Sequence, residues 1–142
     1  GYEVLQYQHT YLRPRGDMPS ELSQFGAPGY ASSDLLAYVH ENPELTLVAY
    51  SPLLKGAYVR PDKPLGKEFD HPGTQARQAA LREVAEETGA TINQVVLAWL
   101  MGHEVPAIPL VGASSLAQLE ESLGALDLEL TPEQRAKLDA AY

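Results

Sequence analysis

Pro109-Leu110-Val111-Gly112-Ala113-Ser114-Ser115-Leu116 reads as the end of a strand, a turn of small residues and a capped helix start. The apolar run Ala107 to Val111 supplies the strand, and Ser115 with Gln118 supplies the start signal for a helix over Leu116 to Leu123. A strand that passes directly into a helix is one half of a βαβ unit. The same alternation recurs on either side. Leu45 to Leu53 is almost continuously apolar over Leu45 to Tyr50, and Glu3 to Tyr11 carries Val4, Leu5, Tyr7 and Tyr11, so both read as strands. Near-unbroken apolar strands predict burial on both faces, as in a parallel sheet.

Helical patterns fill the intervals. Ser33 and Asp34 offer N-caps for Leu35 to His40. Thr74 to Glu87 predicts a longer helix, with Ala76, Ala79, Ala80, Val84 and Ala85 inward and Arg77, Arg82, Glu83, Glu86 and Glu87 outward. Gly89 marks its stop. Thr91 and Gln94 form a capping box for Ile92 to Met101, which is apolar nearly all round and so predicted to be deeply packed. Thr131-Pro132-Glu133-Gln134 starts the terminal helix, with proline at the first helical position. Strands alternating with helices predict an α/β fold with a parallel sheet. Three strands leave unpaired edges, which fits part of a larger barrel better than a finished domain. Two long loops, Leu12 to Ser32 and Lys55 to Gly73, both follow strands, on the face where a parallel barrel keeps its site.

The bulk composition excludes several classes. The chain has 142 residues and a net charge of −9 with only 10 Lys plus Arg, which disfavours nucleic acid and anionic membrane as partners. There are no cysteines, hence no disulfides or thiolate metal sites, and a cytoplasmic location is expected. The four histidines, His9, His40, His71 and His103, lack metal-ligand spacing, so no metal site is expected. No apolar run approaches the length needed to span a bilayer. The chain opens on Gly1-Tyr2-Glu3-Val4, without an initiator Met or a signal-like stretch, and reads as beginning partway through a larger fold.

Three segments are candidates for chemistry. At Gly112 to Ser115 free backbone N–H groups meet the positive end of a helix dipole, so the turn is either an anion site or a plain βα turn capped by Ser115. Tyr50 ends an apolar strand, where its ring either faces an aromatic ligand or packs in the core; Ser51 and Lys55 follow within reach of a pyrophosphate. Gln6 is a polar residue in a strand fit for burial, matched either by a ligand carboxamide or by core partners.

Gln6-Tyr7, Ala49 to Leu53, Gln94 to Leu100, Ile108-Pro109, Gly112-Ala113 and Gln118-Leu119-Glu120-Glu121-Ser122 together resemble the aldo/keto reductase family in order and spacing over essentially the whole chain. The resemblance implies a parallel (β/α)8 TIM-barrel type, of which this chain is the C-terminal part, about strands six to eight with their helices. It implies an NAD(P)H-dependent oxidoreductase that reduces aldehydes or ketones, with this segment holding NADP(H) or NAD(H). By the same resemblance Gln6 meets the nicotinamide carboxamide and Tyr50 stacks on the nicotinamide. Ser51, Leu53 and Lys55 contact the pyrophosphate. Gly112, Ala113, Ser114 and Ser115 line the 2′-phosphate pocket, and Gln118, Glu121 and Ser122 lie near the adenosine. The departures are specific. Gly112 and Gln118 stand where the family often has lysine or arginine, and Ser122 replaces the usual asparagine, which leaves the choice between NADPH and NADH open. His9 stands where asparagine is common and is not the family's catalytic histidine. The Asp-Tyr-Lys-His tetrad belongs to strands expected before Gly1, so no catalytic residue is assigned. The alternative expectation is a non-catalytic dinucleotide-binding or scaffold fragment that self-associates to cover its open edge.

Overall fold

A computed structural model describes residues 1–17 and 29–142. Part of the first predicted long loop, residues 18–28, lies outside the described residues. Three strands, β1 (Val4–Gln8), β2 (Thr46–Tyr50) and β3 (Ala107–Pro109), form one parallel sheet in the order β1-β2-β3. Strands that are consecutive in sequence are therefore neighbours in space, the arrangement by which a parallel sheet curls into a barrel. The helices are α1 (Ser33–Glu41), α2 (Pro72–Thr88), α3 (Ile92–Met101), α4 (Leu116–Gly124) and α5 (Pro132–Ala140).

Most helix ends follow the local signals: Thr91 and Thr131 make full capping boxes with Gln94 and Gln134. At α1 the cap is Ser32, not the expected Ser33 or Asp34, because the helix starts earlier, at Ser33, and the Ser32 side chain accepts from Leu35 N. Gly89 ends α2 in the left-handed region at φ 72°, with its N–H on Ala85 O. The strands are shorter than the sequence predicts. β2 stops at Tyr50 because Ser51 turns to φ 48°. β1 stops at Gln8, and the three residues that follow, His9, Thr10 and Tyr11, are buried.

The register places Leu5, Tyr7, Leu47, Ala49, Ala107 and Pro109 on one face of the sheet. This face packs on Leu35, Leu36 and Val39 of α1 and on Val105. The opposite face carries Val4, Gln6, Gln8, Thr46, Val48, Tyr50 and Ile108, and no described element covers it: Val4 and Ile108 are each 56% exposed. Burial on both faces, expected from the apolar runs, therefore holds on one side only. Beside the sheet a larger core gathers α2, α3 and α5 around Tyr11, Leu12, Phe69, Leu81, Val84, Val96, Trp99 and Leu138. α3 is buried along nearly its whole length, as its composition predicts.

Arg77 corrects the reading of α2. It points inward, while Ala76 and Ala79 are exposed. The guanidinium lies 3.9 Å over the Tyr11 ring, and its Nε and one terminal nitrogen donate to Tyr11 O (2.8 Å) and Ala141 O (3.0 Å). A planar cation suits this position because one plane stacks on an aromatic ring while its edge satisfies buried carbonyls. α5 is pinned from the same side, by Tyr11 Oη donating to Leu138 O (2.6 Å) and Trp99 Nε1 donating to Asp139 Oδ1 (2.8 Å).

Candidate functional site

The C-terminal ends of β2 and β3 carry two of the predicted segments, 51–55 and 112–115, on adjacent turns, while Gln6 lies within β1 and Gln118, Glu121 and Ser122 lie on α4. Ala49 pairs with Pro109, and Leu110 N donates to Ala49 O at 2.8 Å, so the turns after β2 and β3 leave the sheet side by side. Ser51, Leu53 and Lys55 thus lie on one turn, and Gly112, Ala113, Ser114 and Ser115 on the adjacent one. Tyr50 and Gln6 share the open face of the sheet, Gln6 opposite Val48 and Tyr50 opposite Gln8. Gln6 is exposed, not the buried amide its strand suggested, because that face has no cover among the described residues.

Gln8, which sequence reasoning passed over, sits beside Tyr50 at the strand end. Its Nε2 donates to Tyr30 Oη at 2.8 Å. The period of two that selects Gln6 also selects Gln8, so the signal was present. Together with Tyr30, Ser51, Leu54, Lys55 and residues 64–69, Gln8 and Tyr50 line an open cleft of about 630 Å³. The Tyr50 hydroxyl lies so near the Gly29 backbone that a Cβ there would come within 3.0 Å of it, and Gly29 itself has φ 89°. Only glycine combines that backbone with that approach.

The turn after β2 is conformationally costly. Ser51 (φ 48°), Leu54 (φ 51°) and Lys55 (φ 56°) are all non-glycine residues in the left-handed region, and Gly56 follows at φ 95°. Lys55 is exposed and makes no ion pair among the described residues. Lys67 lines the cleft as well, but so does Glu68, which partly offsets the positive potential.

The turn after β3 is also organised. Ser115 caps α4 by accepting from Gln118 N (3.2 Å). Gln118 does not return the bond to Ser115. Its Oε1 instead accepts from Ser114 N (2.8 Å) and Ser114 Oγ (3.0 Å), so a side-chain oxygen occupies two donors that face an anion in a turn of this kind. Glu121 is turned toward α3: its Oε1 accepts from Thr91 Oγ1 at 2.7 Å and its main-chain O from Gln94 Nε2 at 2.9 Å. Ser122 is half-buried on the same helix. No cluster of three or more metal-ligating side chains occurs among the described residues.

Residues 29–142 match the family model described as the aldo/keto reductase family. This chain belongs to the aldo/keto reductase family. It is 30% identical over 152 aligned residues to the chloroplastic pyridoxal reductase of Arabidopsis thaliana, covering 99% of this chain and 41% of that protein. It is 38% identical to an uncharacterized oxidoreductase of Mycobacterium tuberculosis, covering 78% of this chain and 38% of the other. Among solved structures, an aldo/keto reductase from Klebsiella pneumoniae in complex with NADP and acetate superposes on 98% of this chain and 39% of its own, with a TM-score of 0.64 at 23% identity. A thermostable aldo-keto reductase in complex with the inhibitor epalrestat gives a TM-score of 0.54 at 33% identity, covering 76% of this chain and 33% of its own. The chain therefore spans about a third to two fifths of the length of these relatives. The aldo/keto reductase fold is a (β/α)8 barrel, and the three-stranded parallel sheet with its helices is part of one.

Proposed function

We propose that this chain is the cofactor-holding, C-terminal portion of an NAD(P)H-dependent reductase of aldehydes or ketones, acting in the cytoplasm. The observation that carries the reading is the adjacency of two polar turns, 51–56 and 112–115, at the C-terminal ends of neighbouring parallel strands, beside the open Tyr50 cleft. In a parallel barrel that end is where ligands sit. The residues fit a dinucleotide: Tyr50 offers a ring to the nicotinamide, Gln6 an exposed amide on the same face with no side-chain hydrogen bond among the described residues, Ser51, Leu53 and Lys55 a turn for the diphosphate, and Gly112, Ala113, Ser114 and Ser115 backbone donors for the adenosine end. Gln118, Glu121 and Ser122 border that end on α4. The cofactor supplies the hydride; these residues bind and orient it. The proton donor lies in strands outside this chain.

The adenosine end carries no lysine or arginine at positions 112 and 118, and Gln118 already engages Ser114. NADH and NADPH both remain candidate cofactors. The test is direct. The intact protein is mixed with NADPH or NADH and a panel of aldehydes, and nicotinamide absorbance is followed; loss of absorbance that requires the aldehyde supports the reading, and none with either cofactor removes it.

Two substitutions test individual roles. Tyr50→Ala is expected to weaken cofactor binding by roughly fivefold to tenfold, the loss of one aromatic stacking contact; unchanged affinity in a nicotinamide fluorescence titration would refute the stacking role. Gln118→Arg releases Ser114 and adds a cation, so it is expected to tighten NADPH by about tenfold while leaving NADH within about twofold. Equal effects on the two cofactors would place Gln118 away from the 2′-phosphate.

The uncovered apolar surface supports the partner side of the reading. Besides Val4 and Ile108, α4 and the turn after it expose Leu116, Leu119, Leu123 and Leu126, a stripe at helical spacing. The rest of the barrel, carried by the same protein, is the occupant this reading requires. The second reading, a non-catalytic or self-associating fragment, rests on the same surface, with a second copy as its cover. The intact mass of the purified protein separates them: about 110 or more further residues, the complement of a barrel of about 250 residues, favour the reductase, and their absence together with a dimer favours the scaffold.

A further inference from the structure

We propose that Thr10 and Tyr58 are positioning residues, whose paired hydroxyls lock the strained turn Ser51–Gly56 in the form that presents Ser51 and Lys55 to a nucleotide diphosphate. The proposal rests on the cofactor reading above for its ligand and on the hydrogen bonds of Thr10 and Tyr58 for its geometry.

Thr10 is 5% exposed, just beyond the end of β1. Its Oγ1 lies 2.6 Å from Pro52 O and 2.6 Å from Tyr58 Oη. Tyr58 Oη is in turn 3.0 Å from Leu12 N. Counting protons fixes the directions. The Pro52 carbonyl only accepts, so Thr10 gives its single hydroxyl proton there. Tyr58 then donates to Thr10 Oγ1, and its oxygen accepts from Leu12 N–H. Each of these two hydroxyl protons is used once. Burial raises the Tyr58 pKa above the ordinary tyrosine value, so the phenol keeps the proton this arrangement needs.

The turn requires such an anchor. Three non-glycine residues within five positions hold positive φ, a state that persists only where its surroundings over-determine it. The turn's own bonds are short-range: Leu54 N to Ser51 O (3.2 Å), Gly56 N to Leu53 O (3.0 Å) and Ala57 N to Leu54 O (3.1 Å). The Thr10–Tyr58 pair adds two ties to the end of β1, one at Pro52 inside the turn and one at Tyr58 just past it. Neither residue touches the cleft lined by Tyr50, Ser51 and Lys55. Their effect on a ligand there passes through the backbone.

The test uses Thr10→Val and Tyr58→Phe in the intact protein, with Thr10→Ser as the conservative control. Amide exchange at Leu54, Gly56 and Ala57 is expected to accelerate about tenfold or more in both variants and to stay near wild type in Thr10→Ser. The dissociation constant for whichever of NADPH or NADH binds wild type more tightly is expected to rise about tenfold, with kcat at saturating cofactor within about twofold of wild type. Unchanged exchange overturns the clamp. Faster exchange with unchanged cofactor affinity overturns its role in presenting the diphosphate contacts. If wild type binds neither cofactor, the cofactor reading fails; faster exchange in the variants then still supports the clamp as the device that sets the turn.

Discussion

Between pH 6.5 and 4 the folded protein is expected to lose about 3 kcal/mol of stability through His9 alone, from the shift of its pKa and the linkage of that shift to folding. His9 is 6% exposed, its ring centroid lies 6.0 Å from that of Trp99, and its buried Nε2 has no hydrogen-bond partner among the described residues. Burial, and after it the charges of His103 and Arg13, lowers its pKa from 6.5 to about 4. Because the folded value is the depressed one, the unfolded chain takes up the proton first as pH falls. The contribution is complete above pH 6.5 and lost progressively toward pH 4. His103 acts in the same direction, since burial lowers its pKa too. Urea unfolding at pH 7, 5.5 and 4.5 measures the slope. His9→Phe, which keeps a ring against Trp99 but cannot be protonated, is expected to flatten it; an identical slope in that variant would assign the acid sensitivity elsewhere.

Trp99→Ala is expected to cost about 3–5 kcal/mol, the range for removing a large buried aromatic. The indole is 2% exposed, meets Tyr11 edge-on at 5.1 Å and 78°, and lies 4.8 Å from the His103 ring. It also carries the hydrogen bond to Asp139 that ties α5 to the core. Trp99→Phe separates these contributions: it retains most of the packing and loses the donor, so about 1–2 kcal/mol is expected. Urea midpoints at unchanged m-value report both losses. Equal losses in the two variants would mean that the hydrogen bond, not the ring volume, dominates.

The parts of the fold legible in the sequence are those governed by short-range chemistry. The three apolar runs became the three strands, Thr91 with Gln94 and Thr131 with Gln134 closed as capping boxes, and Gly89 ended α2. What escaped depends on distant partners. Arg77 looked like a surface cation because its cover, Tyr11 and the carbonyl of Ala141, lies more than sixty residues away on either side. Gln6 looked buried because its strand is apolar, yet which face of the sheet is covered depends on elements beyond the strand itself. At the candidate site, the segments carrying the family resemblance lie on β1 and at the C-terminal ends of β2 and β3. The positive φ values after β2 and the Thr10–Tyr58 pair left no mark in any local pattern, since a left-handed serine or leucine has no sequence signal of its own.

The tie between Tyr11 and Leu138 sets a schedule for the nascent chain. Its partners are 127 residues apart, so at about 5–20 residues per second the ribosome needs roughly 6–25 s after making Tyr11 before Leu138 exists. Arg77 and Trp99 likewise await Ala141 and Asp139. During that interval Tyr11, Arg77 and Trp99 are synthesised but unsecured, and the final helix converts their loose cluster into a packed one. A ribosome stalled shortly before Thr131 therefore holds a chain with its strands already made and its interior unlatched, and that is the species a cell's chaperones would meet.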